Sequence, residues 1–292
     1  MNKQELKTIV DIVNKYTIDY GLSISENEII NASSDLIHLE NDIIEQIFSR
    51  KAVSQKTVHR SYFHYKSFEL AYDFLDKEYI TLSALSNFSG FNDDLLEYQH
   101  FFDTIEIGSS TEFIENSKDN FFVFCLSEDS STDRFWEEYA NSKTGLCIEF
   151  RITPTSNPYF YDKFELRRIC YDEGNDIIFY RNMQREIRDS KIRKGIASNG
   201  IAKFAALYKR KVKYSWERET RLLFNNYLYS EEYKDRNLSI MVIDNKKYLR
   251  INFKNDYFII TVNSVKIGEK ITPENRAKII DLTNRKGISL IE

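Results

Sequence analysis

The spacing of apolar positions changes character near residue 60. Before it, Leu6, Ile9, Val10, Val13 and Tyr16 recur at i, i+3 and i+4. Leu36, Leu39, Ile43, Ile47 and Phe48 make a further stripe of the same kind. A period near 3.6 predicts helices with one apolar face. Gly21 is a natural helix stop, and Ser25-x-x-Glu28 has the spacing of a capping box before another apolar stretch. Residues 1–57 are therefore expected to form a helical N-terminal segment. No motif of chemistry falls in it. A cap, a regulatory segment, or a bundle that joins two copies as a homodimer would all look like this.

From Ser61 onward the pattern alternates more often. Tyr62-Phe63-His64-Tyr65 is aromatic and strand-like. Ser67 is placed to cap a helix with Leu70, Ala71 and Phe74 on its core face. Tyr79 to Ser83 reads as a strand, and Asn87 to Asp94 as a polar loop with two embedded aromatics. Phe121 to Ser127 is strongly apolar, as expected of a central strand buried on both faces. A helix carries Phe135, Trp136, Tyr139 and Ala140, and Gly145 to Arg151 is a strand. Residues 176–208 look helical, with breaks near Gly195 and Gly200. Trp216 to Asn225 reads as a strand. Runs at 238–243, 248–253 and 257–262 suggest a meander. The tail reads as strand, helix from Pro273, and strand at 288–291. Together these predict an α+β fold over 58–292: a mostly antiparallel, partly sandwiched sheet with flanking helices, preceded by the helical N-terminal segment.

Composition narrows the function class. The chain has 292 residues, 42% hydrophobic and 29% charged, which suits a folded chain and argues against disorder. A net charge of -4 does not favour a general nucleic-acid binder. Cys125, Cys147 and Cys170 are odd in number and form no C-x-x-C pair, so reduced thiols are expected. The N-terminus lacks the apolar stretch of a signal peptide. The longest purely apolar run, Phe121 to Leu126, is too short to span a bilayer. A cytoplasmic protein without membrane contact is the expectation.

The leading chemical candidate is Glu217-x-Glu219 with Arg221. On a strand, side chains two apart share a face, so these three would project together, opposite Trp216, Arg218 and Thr220. Two carboxylates beside a sugar suit glycosyl transfer, in which an acid steadies developing positive charge. The plainer reading is a solvated charged face. His64, Tyr65 and Lys66 could hold a ribose or adenine by hydrogen bonding and stacking, or His64 could be a core-edge histidine. Ser127, at the end of its strand, could reach a ligand in an adjoining crevice or cap the following loop. Trp136-x-x-Tyr139 places two rings on one helix face, which suits core packing or ligand stacking. Lys209-Arg210-Lys211-Val212-Lys213 could hold a phosphate or be solvated. His38, His59 and His100 lack metal-binding spacing, and no P-loop, G-x-G-x-x-G or G-x-S-x-G is present. No metal is expected.

Several segments, taken in order, resemble a known family. They are Tyr65-Lys66-Ser67, Phe91-Asn92-Asp93, Cys125-Leu126-Ser127, Trp136-x-x-Tyr139-Ala140, Gly145-Leu146-Cys147-Ile148-Glu149-Phe150, Trp216-x-x-Glu219-x-Arg221 and Val265-Lys266-Ile267-Gly268. The set is similar to a bacterial family catalogued as domain-of-unknown-function family 2971 (DUF2971), over roughly residues 60–292. The chain departs from it at Asn92-Asp93-Asp94, where Asn-Asp-Pro is common, and at Asn141-Ser142-Lys143, where a His often precedes the Gly. That resemblance carries no activity.

A second resemblance is to ADP-ribosyltransferases, in the order of an early His, a middle Ser and a late E-x-E. It implies NAD as the nucleotide, with His64 (or Lys66) at the adenosine ribose and Ser127 at the nicotinamide ribose. Glu219 would take the ribose 2′-hydroxyl, Glu217 would position the acceptor, and Trp136 or Tyr139 would line the nicotinamide pocket. The expectation is an NAD-dependent transferase or NAD-cleaving effector of phage defence or a toxin system, with a protein or nucleic-acid acceptor. Two alternatives stand beside it. One is a metal-dependent nucleic-acid-processing enzyme using Asp93, Glu149 or Glu219. The other is a non-catalytic module that binds a nucleotide or a partner.

Overall fold

The computed structural model describes residues 1–31, 36–40, 42–51, 61–88, 118–156, 163–172, 178–198, 203, 206–210, 214–226 and 238–291. Along the chain these form α1 (Lys3–Thr17), β1 (Ile29–Asn31), β2 (Leu36–Leu39), α2 (Ile43–Lys51), β3 (Tyr62–Lys66), α3 (Phe68–Lys77) and β4 (Tyr79–Ala84). There follow β5 (Phe121–Ser127), α4 (Asp133–Glu138), β6 (Leu146–Pro154), β7 (Phe164–Arg168), β8 (Cys170–Asp172), α5 (Ile178–Asp189), β9 (Gly195–Ala197) and β10 (Tyr208–Arg210). The last are β11 (Glu219–Asn225), β12 (Leu238–Ile243), β13 (Lys246–Asn252), β14 (Phe258–Ile267), α6 (Pro273–Lys286) and β15 (Ser289–Ile291). The fold is α+β, with a mostly antiparallel sheet.

The chain divides into two compact units, each drawn from three stretches. One comprises Met1–Ser54, Ala84–Phe121 and Ile169–Ser215, and the other Gln55–Ser83, Phe122–Arg168 and Trp216–Glu292. In the first, α1 starts at a capping box between Asn2 and Glu5 and buries Ile9, Ile12 and Val13. α5 packs against α1, where Lys15 and Tyr16 both bond Glu186 at 2.7 Å. Gly21 stops the helical run at φ +66°, as its sequence position implied. The Ser25–Glu28 capping box is also present, but it heads only a short 3-10 turn that leads into β1. Residues 29–31 and 36–39 are thus strands, not helix, and β2 pairs antiparallel with β1 and parallel with β9. Leu36 and Leu39 happen to sit three apart, yet burial falls on Ile37 and Leu39, the period of a strand. The helix expected over 176–208 ends at Asp189, and Gly195 opens β9. Gly200 lies outside the described residues.

The second unit is built on a ten-stranded sheet in the order β12-β13-β4-β5-β3-β6-β14-β15, with β11 pairing to β5 and β7. β5 is central and almost wholly buried, as its uninterrupted apolar run implied. α3 buries Phe68, Ala71, Phe74 and Leu75. Leu70, expected on that face, is exposed instead. Phe74 packs among Phe124, Phe150 and Phe253, and Phe224 among Phe122 and Phe164. β12 and β13 form a hairpin, but β14 leaves it to pair with β6, so the expected meander is only its first two strands. The tail is the expected strand–helix–strand unit. Thr272 caps α6, Pro273 opens it, and β15 returns parallel to β14.

Candidate functional site

The site lies within the second unit and starts from β3. Consecutive strand residues face opposite sides, so Tyr65 and His64 part company. Phe63 lies opposite Ser127 of β5 and Glu149 of β6, and Tyr65 opposite Cys147. That face is met by α4. The Phe135 ring stacks on Tyr65 at 4.9 Å with planes 9° apart, and Trp136 meets Tyr65 edge-on at 5.2 Å. Trp216 joins from the turn before β11, 4.9 Å from Phe135 and 6.5 Å from Tyr139. The Arg134 guanidinium lies 4.2 Å over the Trp216 ring, a cation–π placement. Burial raises the Tyr65 phenol above its usual range and pushes the Cys147 thiol up to about 12. Both stay protonated and act as core.

Glu217 is the carboxylate of this cluster. Ser215–Glu217 form a 3-10 turn, Arg218 sits at φ +42°, and the strand begins only at Glu219. Glu217 is buried, and its Oε1 accepts a 2.5 Å hydrogen bond from the Tyr139 hydroxyl. Tyr139 itself is 39% exposed, so the pair reaches the surface through its ring. Ser127 Oγ lies 3.0 Å from the Glu217 carbonyl and accepts from the Asp129 amide at 2.9 Å. The Glu128 amide donates to the Arg218 carbonyl at 3.2 Å. Ser127 therefore fixes the turn that presents Glu217, which is also the capping of the next loop that its position allowed.

Glu219 and Arg221 do something else. Both are buried, and Arg221 Nε bonds Glu219 Oε1 at 2.7 Å. Arg221 lies opposite Arg167, which pairs at 2.7 Å with Glu165. The result is a row of two ion pairs on adjacent strands. Glu217 is not in line with it, because the left-handed residue Arg218 breaks the strand register the sequence suggested. Thr220, on the other face, bonds Glu128 at 3.0 Å, and Arg168 grips the same carboxylate at 2.7 Å and 2.8 Å.

His64 points to the face covered by α3. Its ring lies 4.4 Å from Phe124 and 6.2 Å from Phe74. Nδ1 is 3.0 Å from the Cys125 carbonyl, which requires the Nδ1–H tautomer, and the buried Nε2 has no hydrogen-bond partner among the described residues. Desolvation, aided by the Lys66 charge, holds its pKa well below the ordinary value, so it is neutral. Lys66, on the same side of the strand, is lowered by desolvation too. This is the core-edge histidine. The structure gathers Tyr65, Ser127, Trp136, Tyr139 and Glu217. It leaves His64 and Lys66 on the other face of β3, and it pairs Glu219 with Arg221. Trp216 and Arg134 were the partners sequence reasoning missed. Trp216 had been placed on the opposite side from Glu217 by assuming one continuous strand.

Glu149, a nuclease candidate, is held by Ser264 at 2.7 Å and Asn263 at 3.4 Å, and these bonds keep its carboxyl below its usual range against the opposing effect of burial. Asp93, with the rest of the 89–94 loop, lies outside the described residues, as do His59, His100 and Lys211 to Lys213 of the basic run. Lys209 lies 4.9 Å from the Tyr214 ring. Among the described residues no three His, Cys, Asp or Glu gather as a metal cluster would, and no helix is long and apolar enough to cross a membrane. No family model, curated protein or solved structure matches the chain. The likeness to family 2971 and to ADP-ribosyltransferases therefore rests on the residues quoted above.

Proposed function

We propose that the protein binds NAD or a closely related nucleotide and cleaves or transfers at its nicotinamide ribose, with Glu217 as the acid at the reacting sugar. The observation that carries this reading is the buried Glu217 carboxylate, bonded to the hydroxyl of the part-exposed Tyr139 beside Trp216. A flat heteroaromatic ring suits the faces of Trp216 and Tyr139. As nicotinamide leaves, positive charge grows on the sugar. A carboxylate in a dry, aromatic setting stabilises that charge more than one in water. Trp136 and Tyr65 back the cluster, and Ser127 holds the Glu217 turn. In this assignment Glu219 keeps Arg221 neutralised and does not meet the ribose. The setting we propose is an NAD-consuming effector of phage defence or a toxin system.

The test is release of free nicotinamide from NAD by the full chain. Glu217→Gln keeps the Tyr139 hydrogen bond and should lower the rate about 100-fold or more, the usual effect of losing one charge-stabilising group. Glu219→Ala should instead reduce folded protein, since breaking a buried ion pair costs about 3 kcal/mol or more. No release by wild type, or equal rates for wild type and Glu217→Gln, would end this reading. A second reading, a nucleotide-binding module without chemistry, draws on Arg134 over Trp216, a stacked pair that suits a base and its phosphates. Quenching of tryptophan fluorescence by NAD without nicotinamide release would select it.

A further inference from the structure

Glu149 shares a face of the sheet with the aromatic cluster, yet the site described above makes no use of it. Phe63 of β3 lies opposite Ser127 of β5 and opposite Glu149 of β6, and Ser264 of β14 lies opposite Glu149 in turn. Residues opposite one another in antiparallel strands share a face. One row therefore runs Ser127, Phe63, Glu149, Ser264, on the face that also holds Tyr65 and Cys147. Phe63 is only partly buried, and it packs against the same cluster as Trp136 and Trp216. It joins Glu149 to Ser127, which holds the Glu217 turn, across two strand spacings, about 10 Å.

β14 carries one extra residue at this point. Val262 pairs with Phe150 and Ser264 with Glu149, so Asn263 bulges from the ladder, a device that re-aims side chains. Ser264 Oγ donates to Glu149 Oε2 at 2.7 Å, and Asn263 Nδ2 lies 3.4 Å from Oε1 and 3.2 Å from Ser61 Oγ. Burial pushes the Glu149 carboxyl up, but the bonds from Ser264, Ser61 and Asn263 and the charge of Lys266 outweigh it, so the group stays ionised. A carboxylate has about four acceptor positions, and these donors leave one open. Ser61 Oγ, accepting from Asn263, keeps a second lone pair. Both residues are part-exposed. They present two adjacent acceptors, which match the adjacent hydroxyl donors of a ribose. Lys266 stands opposite Cys147 on the same face, diagonal to Glu149 at about 7–8 Å. It acts on Glu149 by charge and not by a hydrogen bond. A ribose with a 5′-phosphate spans that gap, its hydroxyls toward Glu149 and its phosphate toward Lys266.

We infer that Glu149, Ser61 and Lys266 form a ribosyl-phosphate subsite, which takes the adenosine half of the dinucleotide while Glu217 meets the nicotinamide half. The inference rests on the function proposed above for Glu217. It makes Glu149 a specificity-determining residue. A 2′-phosphate on the adenosine ribose removes a hydroxyl donor and sets like charges face to face. The site therefore selects NAD over its 2′-phosphorylated form.

Calorimetric titration of the full chain with ADP-ribose, which lacks nicotinamide, tests the subsite apart from the chemistry. Wild type should bind ADP-ribose about tenfold or more tighter than ADP-ribose 2′-phosphate. Glu149→Gln should keep its circular dichroism, weaken ADP-ribose about tenfold or more, as loss of a hydrogen bond to a charged group does, and narrow that preference. Lys266→Gln, at a part-exposed position, should weaken ADP-ribose several-fold and decides the matter if Glu149→Gln does not fold. Nicotinamide release from nicotinamide mononucleotide, which lacks the adenosine half, should be equal in wild type and Glu149→Gln. No ADP-ribose binding by wild type, or an affinity that the two variants leave unchanged, overturns the subsite. So does an equal loss by Glu149→Gln on NAD and on the mononucleotide. Nicotinamide release without Glu149-dependent binding sinks the subsite and spares Glu217. Glu149-dependent binding without release does the reverse.

Discussion

At the scale of single residues, neighbours in sequence part by face and conformation. His64 and Tyr65 look alike as candidates, yet β3 sends them to opposite sides. Glu217 and Glu219 look like a matched pair, yet Arg218 in the left-handed region takes Glu217 out of the strand. His64 makes a pH prediction with a definite sign. Its folded pKa is held well below the ordinary value by burial. At neutral pH both folded and unfolded chains carry it uncharged. Below about pH 6.5 the unfolded chain takes up a proton that the folded chain refuses, so stability falls by up to about 1.4 kcal/mol per pH unit. Urea unfolding at about pH 7.5 and 5.5 should show wild type losing about 1 kcal/mol more than His64→Gln across that interval. Equal losses would mean the ring is not shielded.

At the scale of elements, close approach decides what the pattern alone leaves open. The turn after α4 runs through Asn141, Ser142 and Lys143, all at positive φ. It delivers Gly145 against the end of β3, where an added Cβ would sit 2.0 Å from the Lys66 carbonyl oxygen. Gly268 meets the Lys143 carbonyl in the same way, at 2.2 Å. Neither glycine is needed for its φ. Gly145→Ala should therefore cost about 3 kcal/mol or more through displaced backbone. Gly21→Ala, with open space around it but φ +66°, should cost only about 1 kcal/mol of conformational strain. Denaturant midpoints of the two variants test the difference, and similar losses would discount the packing argument. Such glycines were visible in the sequence, but their contacts were not.

At the scale of the molecule, sequence order and compact units diverge. The stretch before residue 58 was expected to stand apart as helix. Met1–Ser54 instead share a compact unit with Ala84–Phe121 and Ile169–Ser215. β2 pairs with β9, Ser198 bonds Asp42 at 2.7 Å, and Lys203 bonds Glu45 at 2.7 Å. A chain beginning at residue 58 should leave α5 and β9 without their partners. Limited proteolysis should then cut within 178–198, where α5 and β9 of the full chain resist. Equal protection in both would show that this segment stands without α1 and β2.

The amino-acid order by itself determined the local structure wherever one period ran unbroken and its ends were marked. Examples are α1 with its cap, the buried run of β5, and α6 between Thr272 and Gly287. It also supplied the residues of the aromatic cluster, since Trp136, Tyr139, Ser127 and Glu217 were all singled out. Only the tertiary structure decided which of them meet. Facing is set by strand pairing between residues such as Phe63 and Ser127, far apart in the chain. A single left-handed residue, or a pairing slipped by one, exchanges the buried and exposed sets. Periodicity carries no information about either, so short strands such as β1 and β2, and the separation of Glu217 from Glu219, became visible only in three dimensions.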